Sequence, residues 1–320
     1  RIPSAIATSK GTLLAFAEGR KKSRSDTGDI DLVLKRSTDG GRTWGPLQVV
    51  WDDGENTCGN PCPVVDRDTG TVWLLLTHNL GRDTEQEIVE GKSEGTRTAW
   101  VSRSDDDGLS WSKPVEITRD VKKPEWTWYA TGPGVAIQAK SGRLVVPCDA
   151  KYEGGKKGSS HVIFSDDHGR SWKPGGAVGD TFGESQVVEL ADGALVLNMR
   201  NMNSPKRERG IATSRDGGLT WSAPGYDAAL VEPVCQASVL RFGADAIAFS
   251  NPASAKTRSH MTVRLSFDEG KTWPAARLLW EGPSAYSCLA PDGCLFEAGD
   301  RHAYERIVWV RLSRAWIEGR

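Results

Sequence analysis

The chain has 320 residues, enough for one large domain or two ordinary ones. Its 41 Lys and Arg nearly balance its 42 Asp and Glu, so no overall field draws it to nucleic acid or to an acidic membrane surface. A mean hydropathy of −0.45, with no run of about 18 apolar residues, excludes a membrane-spanning helix.

In chain order, no charged-then-apolar leader opens the sequence. It begins at Arg1 inside what reads as a strand, compatible with an upstream segment processed away or left out. Short apolar runs entered through turn residues then recur: "GTLLAFAEGR" (11–20), "TGTVWLLLTH" (69–78), "SGRLVVPCDA" (141–150), "DGALVLNMR" (192–200) and "DAIAFSNP" (245–252). Each reads as half of a hairpin, and almost no stretch sustains a helical period. The six cysteines are too few for a disulfide scaffold. Cys58 and Cys62 stand four apart, and Cys288 and Cys294 six apart, without zinc-site spacing, so no metal is expected. Either pair could close a small disulfide in an oxidising compartment, or remain as free thiols beneath loops. The final "IEGR" reads as a protease-site scar or as a natural terminus.

The dominant signal is a repeat, S-x-D-x-G-x-[ST]-W. It occurs as "STDGGRTW" (37–44), "SDDDGLSW" (104–111), "SDDHGRSW" (165–172), "SRDGGLTW" (214–221) and "SFDEGKTW" (266–273). The starts are 67, 61, 49 and 52 residues apart. Each copy follows a β-like run: "DLVLKRS", "TAWVSRS", "SHVIFSD", "GIATSRD" or "MTVRLSF". The box is turn chemistry: Asp and hydroxyl oxygens accept from nearby N–H groups, and Gly permits positive φ. The Trp marks re-entry into the next strand, where its ring is expected to pack under its own hairpin. The period predicts an all-β, six-bladed β-propeller of four-stranded antiparallel sheets, one domain over 1–320, its sixth blade assembled from both chain ends. Two β-sandwich domains are the alternative. Five equivalent aspartates cannot all serve one reaction, so Asp39 and its counterparts read as structural, and function is sought in residues that do not repeat.

Those residues include "RIP" (1–3), "LNMRN" around Arg200, and "SNPASAKTRSHMTVRLS" containing Arg258. With the boxes, they give the whole chain a pattern that resembles the sialidases (neuraminidases), more the bacterial and animal exo-enzymes than the viral ones. The resemblance extends through "LLAFAEGR" (13–20), "GNPCPVVD" (59–66), "ATGPGVAIQ" (130–138), "GESQVVEL" (183–190), "EPVCQASV" (232–239) and "AYSCLA" (285–290).

The resemblance implies a site. Arg1, Arg200 and Arg258 would bind the sialic acid carboxylate, whose geometry a guanidinium fork matches. Arg264 competes with Arg258, and Arg258 is preferred. Tyr286 would be the nucleophile, since a carboxylate would be repelled by the anion on the anomeric carbon, and Glu184 its general base. Asp26, on the loop "GRKKSRSDTGDID" (19–31), would be the acid/base, while Asp29 and Asp31 enter the next strand or its turn. Arg20 resembles an accessory arginine near the carboxylate, Asn60 a residue of the N-acyl pocket, and Gln236 a polar contact beneath the sugar. Tyr152, Trp126 and Trp128 would flank the glycerol tail or the aglycone, or serve inter-blade packing. Cys288 stands in the wall of the site without a nucleophilic role.

The implied function is that of an exo-α-sialidase, retaining, needing no metal or cofactor, with sialylated glycans as its partners. A trans-sialidase or a glycosidase of a related nonulosonic acid would carry the same residues. A non-catalytic Asp-box propeller would carry only the boxes by design. Members of the family act inside and outside cells; secretion or the periplasm is the expected location.

Overall fold

A computed structural model describes residues 1–202 and 205–320. The first sheet holds β1 (Ser4–Ala7), β2 (Leu13–Arg20), β3 (Ile30–Ser37) and β4 (Gln48–Trp51). The second holds β5 (Thr57–Val65), β6 (Val72–Asn79), β7 (Thr98–Ser104) and β8 (Val115–Glu116), with helix α1 (Glu85–Glu90) between β6 and β7 and α2 (Thr118–Val121) after β8. In the third, a split first strand, β9 (Trp128–Thr131) and β10 (Ile137–Gln138), pairs with β11 (Leu144–Tyr152), followed by β12 (Lys157–Ser165) and β13 (Lys173–Val178). The fourth holds β14 (Phe182–Glu189), β15 (Leu195–Asn201), β16 (Glu208–Ser214) and β17 (Gly225–Val231). The fifth holds β18 (Ser238–Phe242), β19 (Ala246–Pro252), β20 (Ser259–Ser266) and the first part of β21 (Ala275–Ala290). The rest of β21 joins β22 (Gly293–Ala298) and β23 (Arg306–Arg311) in the sixth, before helix α3 (Arg314–Glu318).

A single parallel bridge between Ile30 and Thr57 joins the first sheet to the second, β21 runs from the fifth into the sixth, and sheet follows sheet around a closed ring. β1 touches β5, β5 touches β9 and β10, β11 touches β14, β14 touches β18, β18 touches β21, and β21 touches β1 again. This is the six-bladed propeller, with one departure from the expected closure: the sixth sheet draws its three strands from residues 284–311, not from both chain ends. Arg1 also lies outside β1. It exchanges two backbone hydrogen bonds with Glu18 (2.7 and 2.9 Å), but Ile2, at φ 56°, breaks the strand between Arg1 and Ser4. All six cysteines are free and buried, and they lie on or beside core strands and not beneath surface loops. The "IEGR" segment completes α3, with Ile317 in the core and Gly319 as the left-handed cap.

Every box joins the third strand of its sheet to the fourth. In the first copy Ser37 Oγ donates to Asp39 Oδ1 (2.8 Å), Thr43 N donates to the same oxygen (2.9 Å), and Thr43 Oγ1 donates to Oδ2 (2.6 Å). The other four repeat this set, and in all five the residue before the glycine and the glycine itself have positive φ. The box Trp does not stay on its own hairpin. Trp44 meets Trp309 of the sixth sheet edge-on at 6.1 Å, Trp111 meets Phe16 of the first at 5.5 Å, and Trp172 meets Trp73 of the second at 6.3 Å. Trp221 Nε1 donates to Gly176 O and Trp273 Nε1 to Asp227, each on the preceding sheet. The glycine is required by the same contact: a Cβ on Gly41 would lie 2.1 Å from the Trp309 ring. The box therefore staples each sheet to its predecessor.

Antiparallel pairing separates these boxes from the opposite mouth of the ring. Arg20 pairs with Ile30 at one end of β2 and Leu13 with Ser37 at the other. Seven strand steps put Ser37 about 23 Å from Arg20.

Two predictions follow from the boxes. In a double-mutant cycle, Trp44→Ala and Trp309→Ala should couple by about 0.5–1.5 kcal/mol in urea unfolding; a zero coupling would return Trp44 to its own hairpin. The hydrogen bonds from Thr43 and Ser37 hold Asp39 below the ordinary carboxylate range, and the same bonding brings Asp106, Asp216 and Asp268 down to about 2. A lowered folded-state value means stability that is fully present above about pH 5, begins to fall near pH 4, and is lost only as pH drops through the folded-state value, at about 2 for Asp106, Asp216 and Asp268 and lower for Asp39. Asp39→Ala should lower Tm at pH 7 by roughly 2–5 °C, with the difference shrinking steadily as pH falls below about 4 and part of it still present at pH 2–3, and should leave turnover per folded molecule within about twofold.

Candidate active site

At the mouth away from the boxes lies a cavity of about 400 Å³. Arg1, Arg20, Asp26, Asn60, Glu184, Arg200, Arg258 and Tyr286 all line it, together with Trp128 and Tyr304. Each comes from the same end of its sheet: Arg20 closes β2, Glu184 lies early in β14, Arg200 late in β15, and Tyr286 lies where β21 enters the sixth sheet.

The centre is a short chain of polar contacts. Tyr286 Oη donates to Glu184 Oε1 at 2.5 Å. An Arg200 terminal nitrogen, Nη1, donates to Glu184 Oε2 at 2.6 Å and to Tyr286 Oη at 3.3 Å. Burial pushes the Tyr286 phenol well above its ordinary value, and the Glu184 charge adds to this, while Arg200 and Arg258 pull the other way. The guanidinium carbons of Arg1 and Arg258 stand 5.7 and 5.9 Å from the Tyr286 ring centre. Three guanidiniums thus converge around one phenol, and Arg200 Nε is buried with no partner.

Converging cations need anions behind them. Glu297, 1% exposed, accepts from Arg1 Nε (3.3 Å), Ile2 N (2.8 Å) and Tyr286 N (3.3 Å). Glu18 accepts from Arg20 Nε (2.9 Å) and Nη2 (2.5 Å) and from Asn60 N (3.0 Å). Arg258 is held by neutral groups: it donates to Tyr304 Oη (2.7 Å) and Val234 O (3.0 Å). Tyr304 also lies 3.8 Å beneath the Arg1 guanidinium. Ile2 and Val234 both adopt positive φ (56° and 55°), a strained state for β-branched residues.

Asp26 lies on the loop between β2 and β3, half-exposed at 55%, with Oδ1 2.7 Å from Arg20 and 3.5 Å from Arg1. Desolvation would raise its affinity for a proton, but the Arg20 and Arg1 charges outweigh that and hold it below the ordinary value. Asp29 and Asp31 turn away to Lys21 (3.1 and 3.0 Å). Asn60, at φ 52°, has its side-chain oxygen held by Arg97 (2.5 Å) and Thr77 (3.4 Å). Arg264 bonds Asn251 (3.3 Å) and lies outside the cavity, which favours Arg258 over it.

Three expected contacts do not face the cavity. Tyr152 donates to Asp180 at 2.6 Å and packs against the core of the second and third sheets; alternation along β11 turns its neighbours Asp149 and Lys151 inward instead. Trp126 is in that same core, while Trp128 lines the cavity. Gln236 is 1% exposed and bonds Pro133 O, Ser287 O and Ser287 N, holding the backbone next to Tyr286. Sequence reasoning missed Glu18, Arg97, Asp149, Glu297 and Tyr304. The signal available for the first, third and fourth was an acidic residue inside an apolar strand run. The metal-ligand types that do cluster among the described residues, Asp66, Asp68 and His168, lie away from this cavity, where Gln138 Nε2 donates to both carboxylates (3.0 Å each).

Removing Glu297 should expose its dependence. Glu297→Ala strands Arg1, Ile2 N and Tyr286 N together and should cost about 3–5 kcal/mol in urea unfolding, with Glu297→Gln clearly milder. Equal and small losses for both would show that the carboxylate is dispensable.

The chain matches the family model of the BNR repeat-like domain over residues 11–296. It is 34% identical to an exo-alpha-sialidase of Aspergillus fumigatus, across 99% of this chain and 84% of that protein. It is 35% identical to a sialidase of Micromonospora viridifaciens, across 100% of this chain but 52% of that protein. The solved structure of the Hadza microbial sialidase Hz136 superimposes with a TM-score of 0.87 at 33% identity, covering 98% of this chain and 65% of that one. The chain spans most of its fungal relative and about half of the bacterial one. With five boxes, a six-sheet ring and this similarity over its whole length, the chain belongs to the sialidase family of glycoside hydrolases.

Proposed function

We propose that residues 1–320 form one catalytic propeller that removes terminal, non-reducing sialic acid from glycoconjugates with net retention. The observation that carries this reading is the Tyr286–Glu184 contact of 2.5 Å inside a cavity where Arg1, Arg200 and Arg258 converge. Arg1, Arg200 and Arg258 take the sugar's carboxylate. Arg20 sits behind them and holds Asp26.

The chemistry follows from charge. The anomeric carbon carries a carboxylate, so a neutral phenol approaches it with less repulsion than an anion would. A phenol held above its ordinary value attacks only if its proton leaves as the bond forms. Glu184 accepts that proton, and Arg200, bonded to both partners, stabilises the charge that moves between them. Asp26 protonates the departing oxygen. In the empty site its proton affinity is depressed by Arg20 and Arg1; the substrate carboxylate offsets those charges and raises it for the acid step. As a carboxylate again, Asp26 takes a proton from the water that attacks the anomeric carbon, the aryl ketoside bond to Tyr286 breaks, and Glu184 returns the phenol's proton. Asn60 offers an amide edge to the N-acyl group, its oxygen already occupied by Arg97.

The test is hydrolysis of a fluorogenic α-sialoside. Tyr286→Phe should lower kcat by at least about 10³. Arg258→Ala should weaken substrate binding about 10–100-fold through loss of charge-assisted hydrogen bonds. Proton NMR of the wild-type reaction should show the α-anomer of free sialic acid first. Absence of hydrolysis by folded wild type would overturn the activity, and unimpaired Tyr286→Phe would overturn the nucleophile.

A further inference from the structure

Residues 132–136, the "GPGVA" between β9 and β10, line no part of the cavity, and every one of them is buried. They reach across the ring. Gly134 N donates to Pro61 O (3.4 Å) and Ala136 N to Pro63 O (3.0 Å), both on the second sheet. Gly134 O accepts from Ser4 Oγ of the first sheet (2.7 Å). Pro133 O accepts two side-chain amides at once, Gln186 Nε2 from the fourth sheet (3.2 Å) and Gln236 Nε2 from the entry to the fifth (3.1 Å). The fit has no slack. Gly134 is at φ 131°, and a Cβ there would lie 2.5 Å from the Gln186 amide nitrogen.

Each glutamine has a second hold. Gln186 Oε1 accepts from Val135 N (3.2 Å), and its Nε2 also reaches Ser185 O (3.0 Å), on the residue after Glu184. Gln236 grips both sides of Ser287, the residue after Tyr286: Nε2 donates to Ser287 O (2.9 Å), and Oε1 accepts from Ser287 N (3.0 Å). Tyr286 and Glu184 need such support for a topological reason. They come from the sixth and fourth sheets, and the fifth stands between: β14 touches β18, and β18 touches β21. Their 2.5 Å contact therefore spans sheets that are not neighbours, and Pro133 O is bonded toward both of its ends. A buried, satisfied amide network is rigid. Reacting groups displaced by about 1 Å lose rate steeply.

Resting on the sialidase reading above, we propose that Gln186 and Gln236 are positioning residues that act through their shared acceptor, the Pro133 carbonyl, to hold Glu184 and Tyr286 at proton-transfer distance. The axial segment is a spacer between nucleophile and base. Both glutamines are 1% exposed, and neither lines the cavity.

The experiment measures kcat and KM separately on a fluorogenic α-sialoside, with rates scaled to folded protein. Gln186→Met and Gln236→Met keep the side-chain length and remove the amide. Each should lower kcat about tenfold and leave KM within about twofold, since the arginines that take the carboxylate are untouched. The double variant should also lose about tenfold, not a hundredfold, because either change alone breaks the bridge. Gln138→Met is the control for burial alone. That glutamine is 6% exposed and bonds Asp66 and Asp68 away from the cavity, so Tm should fall while kcat stays within about twofold. Gly134→Ala leaves both glutamines in the chain and pushes Gln186 off Pro133 O. It should repeat the Gln186→Met loss of kcat, and it decides the matter if the Met variants do not fold. A raised KM at unchanged kcat, a hundredfold loss in the double variant, an unchanged kcat in Gly134→Ala, or a Gln138→Met as impaired in kcat as the others would each overturn the proposal. Wild type that cleaves no sialoside would overturn the sialidase reading itself, and is told apart by that failure.

Discussion

Everything in the cavity depends on opposing a cluster of positive charge without neutralising it. Guanidiniums that converge in an enclosed space repel one another, so each must be held from behind while its front stays free. Glu297 does this for Arg1 and Glu18 for Arg20, while Glu184 braces Arg200 from inside the site. A fourth pair, Arg209 with Glu232, is fully buried and fixes the backbone beside Arg200 through Asn201 N. Arg258 lacks a carboxylate partner among the described residues and relies on Tyr304 and the Val234 carbonyl. It is the arginine with the most charge left over for a ligand.

Scaffold and site divide along the strands. The boxes occupy the turns at one end, where an aspartate organises each turn and a tryptophan grips the sheet before it. The residues facing the cavity occupy the other end, about 23 Å away by strand count. Local strain follows the same division. The glycines of the boxes, and the unbranched Asp107, His168 and Glu269, take up positive φ at less cost than the β-branched Ile2 and Val234 beside Arg1 and Arg258. The surrounding hydrogen bonds, including Glu297 to Ile2 N and Arg258 to Val234 O, fix those backbones.

What the sequence made legible was whatever repeats or whatever belongs to a known motif. The five boxes gave the ring of sheets, and Tyr286, Glu184, Arg200 and Arg258 lie together as the motif reading expects. The rest depended on distances along the chain that no local pattern encodes. Glu297 meets Arg1 across 296 positions, and Tyr304 meets Arg258 because one loop of the sixth sheet bends over the mouth. Tyr152 was misread by a single strand step, which is enough to exchange the cavity for the core. Trp44 was placed on its own hairpin because its true partner, Trp309, is near the other end of the sequence.

Glu297 has one more consequence. One of its oxygens receives Arg1 and Ile2 from the start of the chain, and the other receives the Tyr286 amide from near its end. The seam where the ring meets itself and the cradle of the phenol are thus a single joint. A molecule caught with that seam open has no correctly set Tyr286, whatever the condition of its other five sheets. Under the proposed reaction, closing the ring and setting the nucleophile would therefore be one event and not two.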